Sequence, residues 1–182
     1  MVATVSWTVW LTGPPASGKS AIARGVVRRL ADEAIPVAWL ESDALRPILA
    51  QAAGYSPPER DAFYAALADL AALLSAQGLN VLVDATAPRR SHRDRLRERV
   101  PDLLEILVDA PLETRERRDP KGLYRRARAG DAPHLPGATE AYEAPAHPDL
   151  VLSGTAPAGA NAARLLGLLR EKRSDSVAPG RI

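Results

Sequence analysis

Short apolar runs alternate along the chain with longer stretches in which apolar positions recur every three or four residues. The runs at 5–11, 36–41, 79–84, 103–109 and 149–152 are rich in Val, Leu, Ile and Trp and read as strands. Between them, helical spacing covers 19–33, 44–52, 58–77, 90–99, 112–118, 122–129 and 159–172. In the longest of these, Phe63, Leu67, Leu70 and Leu74 form one stripe, and Gly78 supplies the left-handed stop that helices favour. Strands that are apolar without interruption are buried on both faces. With helices alternating between them, they predict a three-layer α/β fold around a five-stranded parallel sheet. Ligands in such sheets collect at the carboxyl ends of the strands.

Two segments break the alternation. Residues 130–148 carry Gly, Pro, Asp and His without periodicity, and a loop this long in a compact domain is usually functional. Residues 173–182 are polar, with Pro and Gly, and read as a flexible tail. The expected organisation is one domain over 1–172, with no repeat and no linker. The chain has 182 residues, enough to bury a core without staples. It contains no cysteine, which excludes disulfides, thiolate metal sites and thiol catalysis; its three histidines are far apart. No stretch approaches the roughly 20 apolar residues of a membrane span, and no basic-then-apolar leader opens the chain, so a cytoplasmic protein is expected.

Net charge is only +2, but arginines cluster at 89–99 and 115–128. Such runs ordinarily form solvated helix faces. Nucleic-acid binding would need interleaved aromatic platforms, which the first cluster lacks, so no nucleic-acid partner is expected.

Residues 13–20 read Gly13-Pro14-Pro15-Ala16-Ser17-Gly18-Lys19-Ser20, which matches G-x-x-x-x-G-K-[ST] without a mismatch. The segment lies between a strand and a helix start, where backbone N–H groups and the helix dipole converge on an anion. Lys19 is placed to reach the β- and γ-phosphates of ATP, and the Ser20 hydroxyl to ligate Mg²⁺. Acidic residues close three other strands: Glu41 with Asp43, Asp84, and Asp109. Asp43 is expected to act on the acceptor hydroxyl or the metal, although a helix cap would need the same residue. Asp84 sits where a Walker-B-like acid would, and Asp109 reads as structural. Arg46 and Arg60 offer planar forks for an anionic acceptor, or are surface helix residues. Tyr55 either stacks on a base or packs in the core. The stretch Arg117-Arg118-Asp119-Pro120-Lys121-Gly122 puts cations beside a Pro/Gly hinge. It suggests a basic lid over about 115–148 that closes on a transferring phosphoryl group.

Val9 through Ser20, Asp119-Pro120-Lys121-Gly122-Leu123-Tyr124 with Ala127 to Gly130, and Tyr142-Glu143-Ala144-Pro145 together resemble the adenylylsulfate (APS) kinases, over roughly residues 5–155. The resemblance implies a P-loop kinase fold. It also implies transfer of the γ-phosphate of MgATP to the 3′-hydroxyl of APS, giving PAPS. Carried over, Gly13 to Ser20 and Arg118 bind ATP. Asp43, Arg46, Tyr55, Arg60, Pro88, Lys121, Leu123 and Leu135 line the acceptor side. Lys19, Asp43 and Lys121 are the catalytic set, with Mg²⁺ at Ser20 and Asp43.

The departures fall on the acceptor side. The family's Glu-Asn-Ile-Arg-Arg run is Ala62-Phe63-Tyr64-Ala65-Ala66 here. A serine sometimes described as a phosphorylated intermediate is Ala87, and a stacking Phe of the lid is Leu135. The expected activity is therefore an ATP-dependent phosphotransferase of the APS kinase type. The alternative is a relative acting on another nucleotide or a small hydroxylated metabolite. Intact Lys19, Ser20, Asp43 and Lys121 disfavour a nucleotide-binding module without turnover. Pairing of two copies through 58–77 is compatible with its apolar stripe, which core packing explains equally.

Overall fold

The computed structural model describes residues 6–49 and 56–175. Five parallel strands form one sheet: β1 (Thr8–Thr12), β2 (Val37–Glu41), β3 (Asn80–Asp84), β4 (Leu104–Asp109) and β5 (Leu150–Ser153), in the order β2-β3-β1-β4-β5. The seven helices among these residues are α1 (Lys19–Asp32), α2 (Ser42–Leu49), α3 (Pro57–Ala76), α4 (Arg90–Arg97), α5 (Leu112–Arg118), α6 (Leu123–Arg128) and α7 (Ala158–Asp175). The three-layer expectation is met, because the strands bury both faces. One apolar cluster joins Val9, Leu11, Ile106 and Leu152 to Ile22 and Val26 of α1 and Leu165 and Leu169 of α7. The other joins Trp10, Val81 and Val83 to Phe63, Leu67 and Ala71 of α3 and Leu96 of α4.

The stripe on α3 enters this second cluster. Phe63 and Leu67 are fully buried, and Leu70 and Leu74 are partly so. A capping box starts α3: the Ser56 side chain takes an N–H from the first turn while Glu59 reaches back to the Ser56 N–H at 3.1 Å. Helix α2 opens at Ser42, two residues earlier than its apolar spacing suggests. Asp43 thus sits inside the first turn, where the helix dipole favours a carboxylate. Tyr55 and residues 50–52 of the expected second helix lie outside the described residues, as does most of the expected tail.

The arginine cluster at 89–99 is a solvated face only in part. Arg93 is buried, paired with Glu105 of β4, and donates to the carbonyls of Ala87 (2.5 Å) and Glu143 (2.7 Å). Its neighbours on α4 turn toward α3 instead. Arg89 forks onto Asp61, and Arg95 and Arg99 share Asp69. Helical periodicity marks which residues share a face but not which face meets another helix, and here the charged face meets carboxylates of α3. No helix among the described residues is long and apolar enough to cross a membrane.

Candidate active site

All five parallel strands end at one edge of the sheet, where β1 leads into the 13–20 loop. The register pairs Leu11 of β1 with Asp84 of β3 and with Ile106 of β4, so β1 delivers the loop between two neighbours. The loop is nested tightly against β4 and β5. Gly13 has φ +147°, and a Cβ there would lie 2.3 Å from the Val108 carbonyl oxygen. Gly154, just after β5, allows an equally close approach: a Cβ would meet Ser17 O at 2.4 Å and Ala110 Cβ at 2.7 Å. No sequence motif marked Gly154 as part of the phosphate site. Only the folded packing of two loops does so. Gly154→Ala is expected to push the loop out of place, raising the KM for ATP and destabilising the domain by about 1–3 kcal/mol, typical of overpacking against backbone. Thermal denaturation and nucleotide kinetics check this together.

Lys19 opens α1 but is buried, and its ammonium donates to the carbonyls of Gly13 (2.8 Å) and Pro14 (3.0 Å). Burial lowers its pKa to about 8, against the pull of Asp84 and Asp43, which raise it. A desolvated cation held only by two backbone carbonyls of the loop is poised for an anion that restores its lost solvation. Ser20 donates its hydroxyl to Asp84, whose carboxyl is pushed above the usual carboxylate range, chiefly by burial. Asp84 Oδ2 is buried with no hydrogen-bond partner among the described residues. A buried carboxylate oxygen without a partner is costly. Its place beside a phosphate-loop hydroxyl suits a hydrated divalent cation, so the donor set fits magnesium carried in with ATP.

Across the mouth of the loop, Asp43 on α2 is ion-paired with Lys121, which lies between α5 and α6. Both side chains are exposed, and they bring together two of the expected catalytic residues from positions 78 apart. The lid is fastened to the phosphate loop. Tyr124 of α6 donates to the Pro15 carbonyl at 2.9 Å, and buried Arg115 of α5 donates to the Tyr124 hydroxyl (2.9 Å), Ala110 O (3.0 Å) and Gly137 O (3.1 Å). Arg118 lies over the loop: a methyl group on Gly18 would come within 3.7 Å of its Nη1. The basic lid of 115–128 thus divides its arginines between a buried clamp at Arg115, Arg118 over the phosphate loop, and exposed residues such as Arg128, which pairs with Glu116.

The acceptor-side expectations resolve differently from one another. Arg46 lies over the Phe63 ring, its guanidinium carbon 3.9 Å from the centroid. Arg60 is not a surface residue. It is buried, paired with Glu140 at 2.6 Å and donating to His134 O at 2.6 Å, which ties α3 to the lid loop. Leu135 is buried within that loop, and its carbonyl accepts the N–H groups of Ala138, Thr139 and Glu140. Pro88 is buried and its carbonyl takes the Glu143 N–H at 2.7 Å, while Leu123 is half-buried at the start of α6. Asp109 is exposed, and its backbone carbonyl receives the Gly154 N–H at 2.6 Å.

Thr12 and Tyr142 complete the wall and had not been singled out individually. The Thr12 hydroxyl donates to Thr86 O (2.7 Å), so at 2.9 Å from the Tyr142 oxygen it accepts that phenol's proton. Burial pushes the Tyr142 phenol up to about 12, which keeps it a donor at every physiological pH.

A phosphate loop with a buried lysine, a carboxylate beside its serine, and a clamped basic lid over a second acid together define a P-loop kinase, which transfers phosphate to a hydroxyl. Residues 5–153 match the family model described as adenylylsulphate kinase. An adenylyl-sulfate kinase of Synechococcus sp. (strain JA-3-3Ab) is 40% identical over 144 residues, 79% of this chain and 82% of that protein. A probable adenylyl-sulfate kinase of Pseudomonas aeruginosa is 35% identical over 150 residues, covering 82% of this chain and 70% of its own. The APS kinase of Mycobacterium tuberculosis, solved in complex with AMPPNP and APS, superposes with a TM-score of 0.85 at 38% identity, covering 91% of this chain and 98% of its own. The chain belongs to the adenylylsulfate kinase family.

Proposed function

We propose that this protein transfers the γ-phosphoryl group of MgATP to the 3′-hydroxyl of APS, giving PAPS and ADP. The observation that carries the reading is the Asp43–Lys121 pair, which sets an acid and a cation side by side facing the phosphate loop. Phosphoryl transfer asks little covalent chemistry of a protein and depends on alignment and charge. Lys19 and the loop amides hold the β- and γ-phosphates. Ser20 and Asp84 would hold magnesium, which when bound would supply positive charge to offset that of the phosphates. Asp43 orients the acceptor hydroxyl and takes its proton. Once ATP occupies the loop, Lys121 is drawn from Asp43 toward the transferring group. Arg118 closes over the nucleotide. Arg60 is engaged with the lid loop, and Arg46, over the Phe63 ring, offers a planar fork to the acceptor's anionic group.

A second reading keeps this mechanism and changes the acceptor. Buried Phe63 and Tyr64 stand beside Arg46, and Ala65 and Ala66 follow where the family carries two arginines. That wall suits a less charged acceptor. Phosphoryl transfer from labelled ATP to APS, measured against nucleosides, other nucleotides and small polyols, separates the two. APS is expected to give the highest kcat/KM of the panel. A background rate with APS beside efficient transfer to another hydroxyl would replace the first reading by the second.

A further inference from the structure

Lys121 lies in the turn between α5 and α6, helices of seven and six residues. Helices this short do not hold themselves in water, so the place of Lys121 depends on what anchors them. Within the lid, the Asp119 carboxylate accepts the N–H groups of Tyr124 (3.1 Å) and Arg125 (3.0 Å), and Arg128 pairs with Glu116. These contacts fix the turn to its own helices. The tie from α6 to the phosphate loop is the Tyr124 hydroxyl on the Pro15 carbonyl.

Arg115 sets the direction of that hydrogen bond. A guanidinium only donates, so the phenol oxygen accepts from Arg115 Nη1 and has its own proton to give to Pro15. Burial pushes the phenol up from its ordinary range, which keeps it protonated. The same Nη1 holds Gly137 of the lid loop, which is wedged in place. Gly137 has φ +74°, and a Cβ there would lie 2.8 Å from Arg115 Nη1 and 3.1 Å from Pro14 Cβ. Among the described residues, buried Arg115 has no carboxylate partner; it is held by neutral oxygens of Ala110, Tyr124 and Gly137. A buried guanidinium without a counter-charge is costly to desolvate, so the geometry it fixes explains it better than stability does.

On the loop itself, Lys19 takes the carbonyls of Gly13 and Pro14, and Tyr124 takes the next one. The loop lysine and the lid therefore grip one short stretch of backbone. We propose that Tyr124 is a positioning residue for phosphoryl transfer: its hydroxyl, oriented by Arg115, holds the 119–122 turn against the phosphate loop, so that Lys121 meets the transferring group where Lys19 and the loop present it. The inference rests on the proposed kinase reading and deepens it on the side of the lid.

The test is steady-state kinetics of Tyr124→Phe, Lys121→Met and the double variant. Phenylalanine keeps the ring and removes only the link to Pro15. In otherwise wild-type protein, Tyr124→Phe is expected to lower kcat by about tenfold or more while the KM for ATP stays within about twofold, since a catalytic group misplaced by about an ångström loses up to ~10²-fold in rate. In Lys121→Met protein the same change is expected to lower kcat by less than about twofold further, because the group it places is gone. An unchanged kcat in Tyr124→Phe overturns the proposal. So does a rise in the KM for ATP alone, which would mean that the hydroxyl serves only the loop. A similar loss in both backgrounds also overturns it, because the hydroxyl would then act on the fold and not through Lys121. The wild-type rate with APS is read first. If it is at background, the APS reading fails by itself, and the same comparison is made on the acceptor that the wild type phosphorylates.

Discussion

Replacing Lys19 by methionine is expected to lower kcat about 10³-fold with APS and ATP, because a preorganised cation aimed at developing charge contributes on that order. The same substitution is expected to act in the opposite direction on stability. Lys19 is buried and its pKa is lowered to about 8 from 10.5. Between those values the unfolded chain holds the proton and the folded protein does not. The unfolded state then binds more protons, so wild-type stability rises with pH from about 8 to 10.5. Below pH 8 both states are protonated and the folded protein carries the whole desolvation cost. Methionine has no such cost and no such pH dependence. Denaturation of both proteins between pH 7 and 10.5 should show the wild type gaining stability relative to Lys19→Met as pH rises. Unchanged turnover in Lys19→Met would remove the lysine from the mechanism. A flat stability difference across the range would mean that its charge is solvated after all.

The second large effect is expected at Asp43. Asp43→Asn keeps the size of the side chain but removes both the negative charge and the capacity to take a proton. A positioned general base contributes typically 10²–10⁴-fold, so kcat is expected to fall by about that factor while the KM for ATP changes little. The ion pair with Lys121 adds a second consequence. It is solvent-exposed at both ends, so by itself it contributes little to stability, and Asp43→Asn should leave the melting temperature within about a degree or two. Its importance lies in placing Lys121. Lys121→Met should also reduce kcat. The double variant should lose less than the product of the two single losses, since both act on one transferring group. Equal melting temperatures with an intact kcat would move the base elsewhere on this edge of the sheet, where Asp84 is the other carboxylate acting on the loop lysine.

The loop and the fold could be read from the chain because the forces that set them are local or periodic. Gly13 to Ser20 is contiguous, and its anion cradle follows from two glycines, a helix start and a lysine in fixed order. Five apolar strands alternating with amphipathic helices specify a covered parallel sheet, and each expected strand was found within a few residues. The acceptor side was legible only as a list of residues. Arg60 belongs to the helical pattern of α3 either way, and no pattern announces that it reaches Glu140 across 80 positions. Arg93 is one arginine among several in a run, yet it alone is buried against Glu105 and holds the Ala87 carbonyl.

By itself, then, the sequence determined the layers, the phosphate loop and the family motifs, since these rest on period, turn chemistry and contiguous spacing. Tertiary structure decided which charges are spent and which are available. It buried Lys19, gave the Ser20 hydroxyl to Asp84, joined Asp43 to Lys121 and clamped Tyr124 to Pro15. The physical reason is the same in each case. A side chain's burial and partners depend on elements packed from distant parts of the chain, and where the groups are buried, as at Lys19 and Asp84, desolvation makes the pairing consequential.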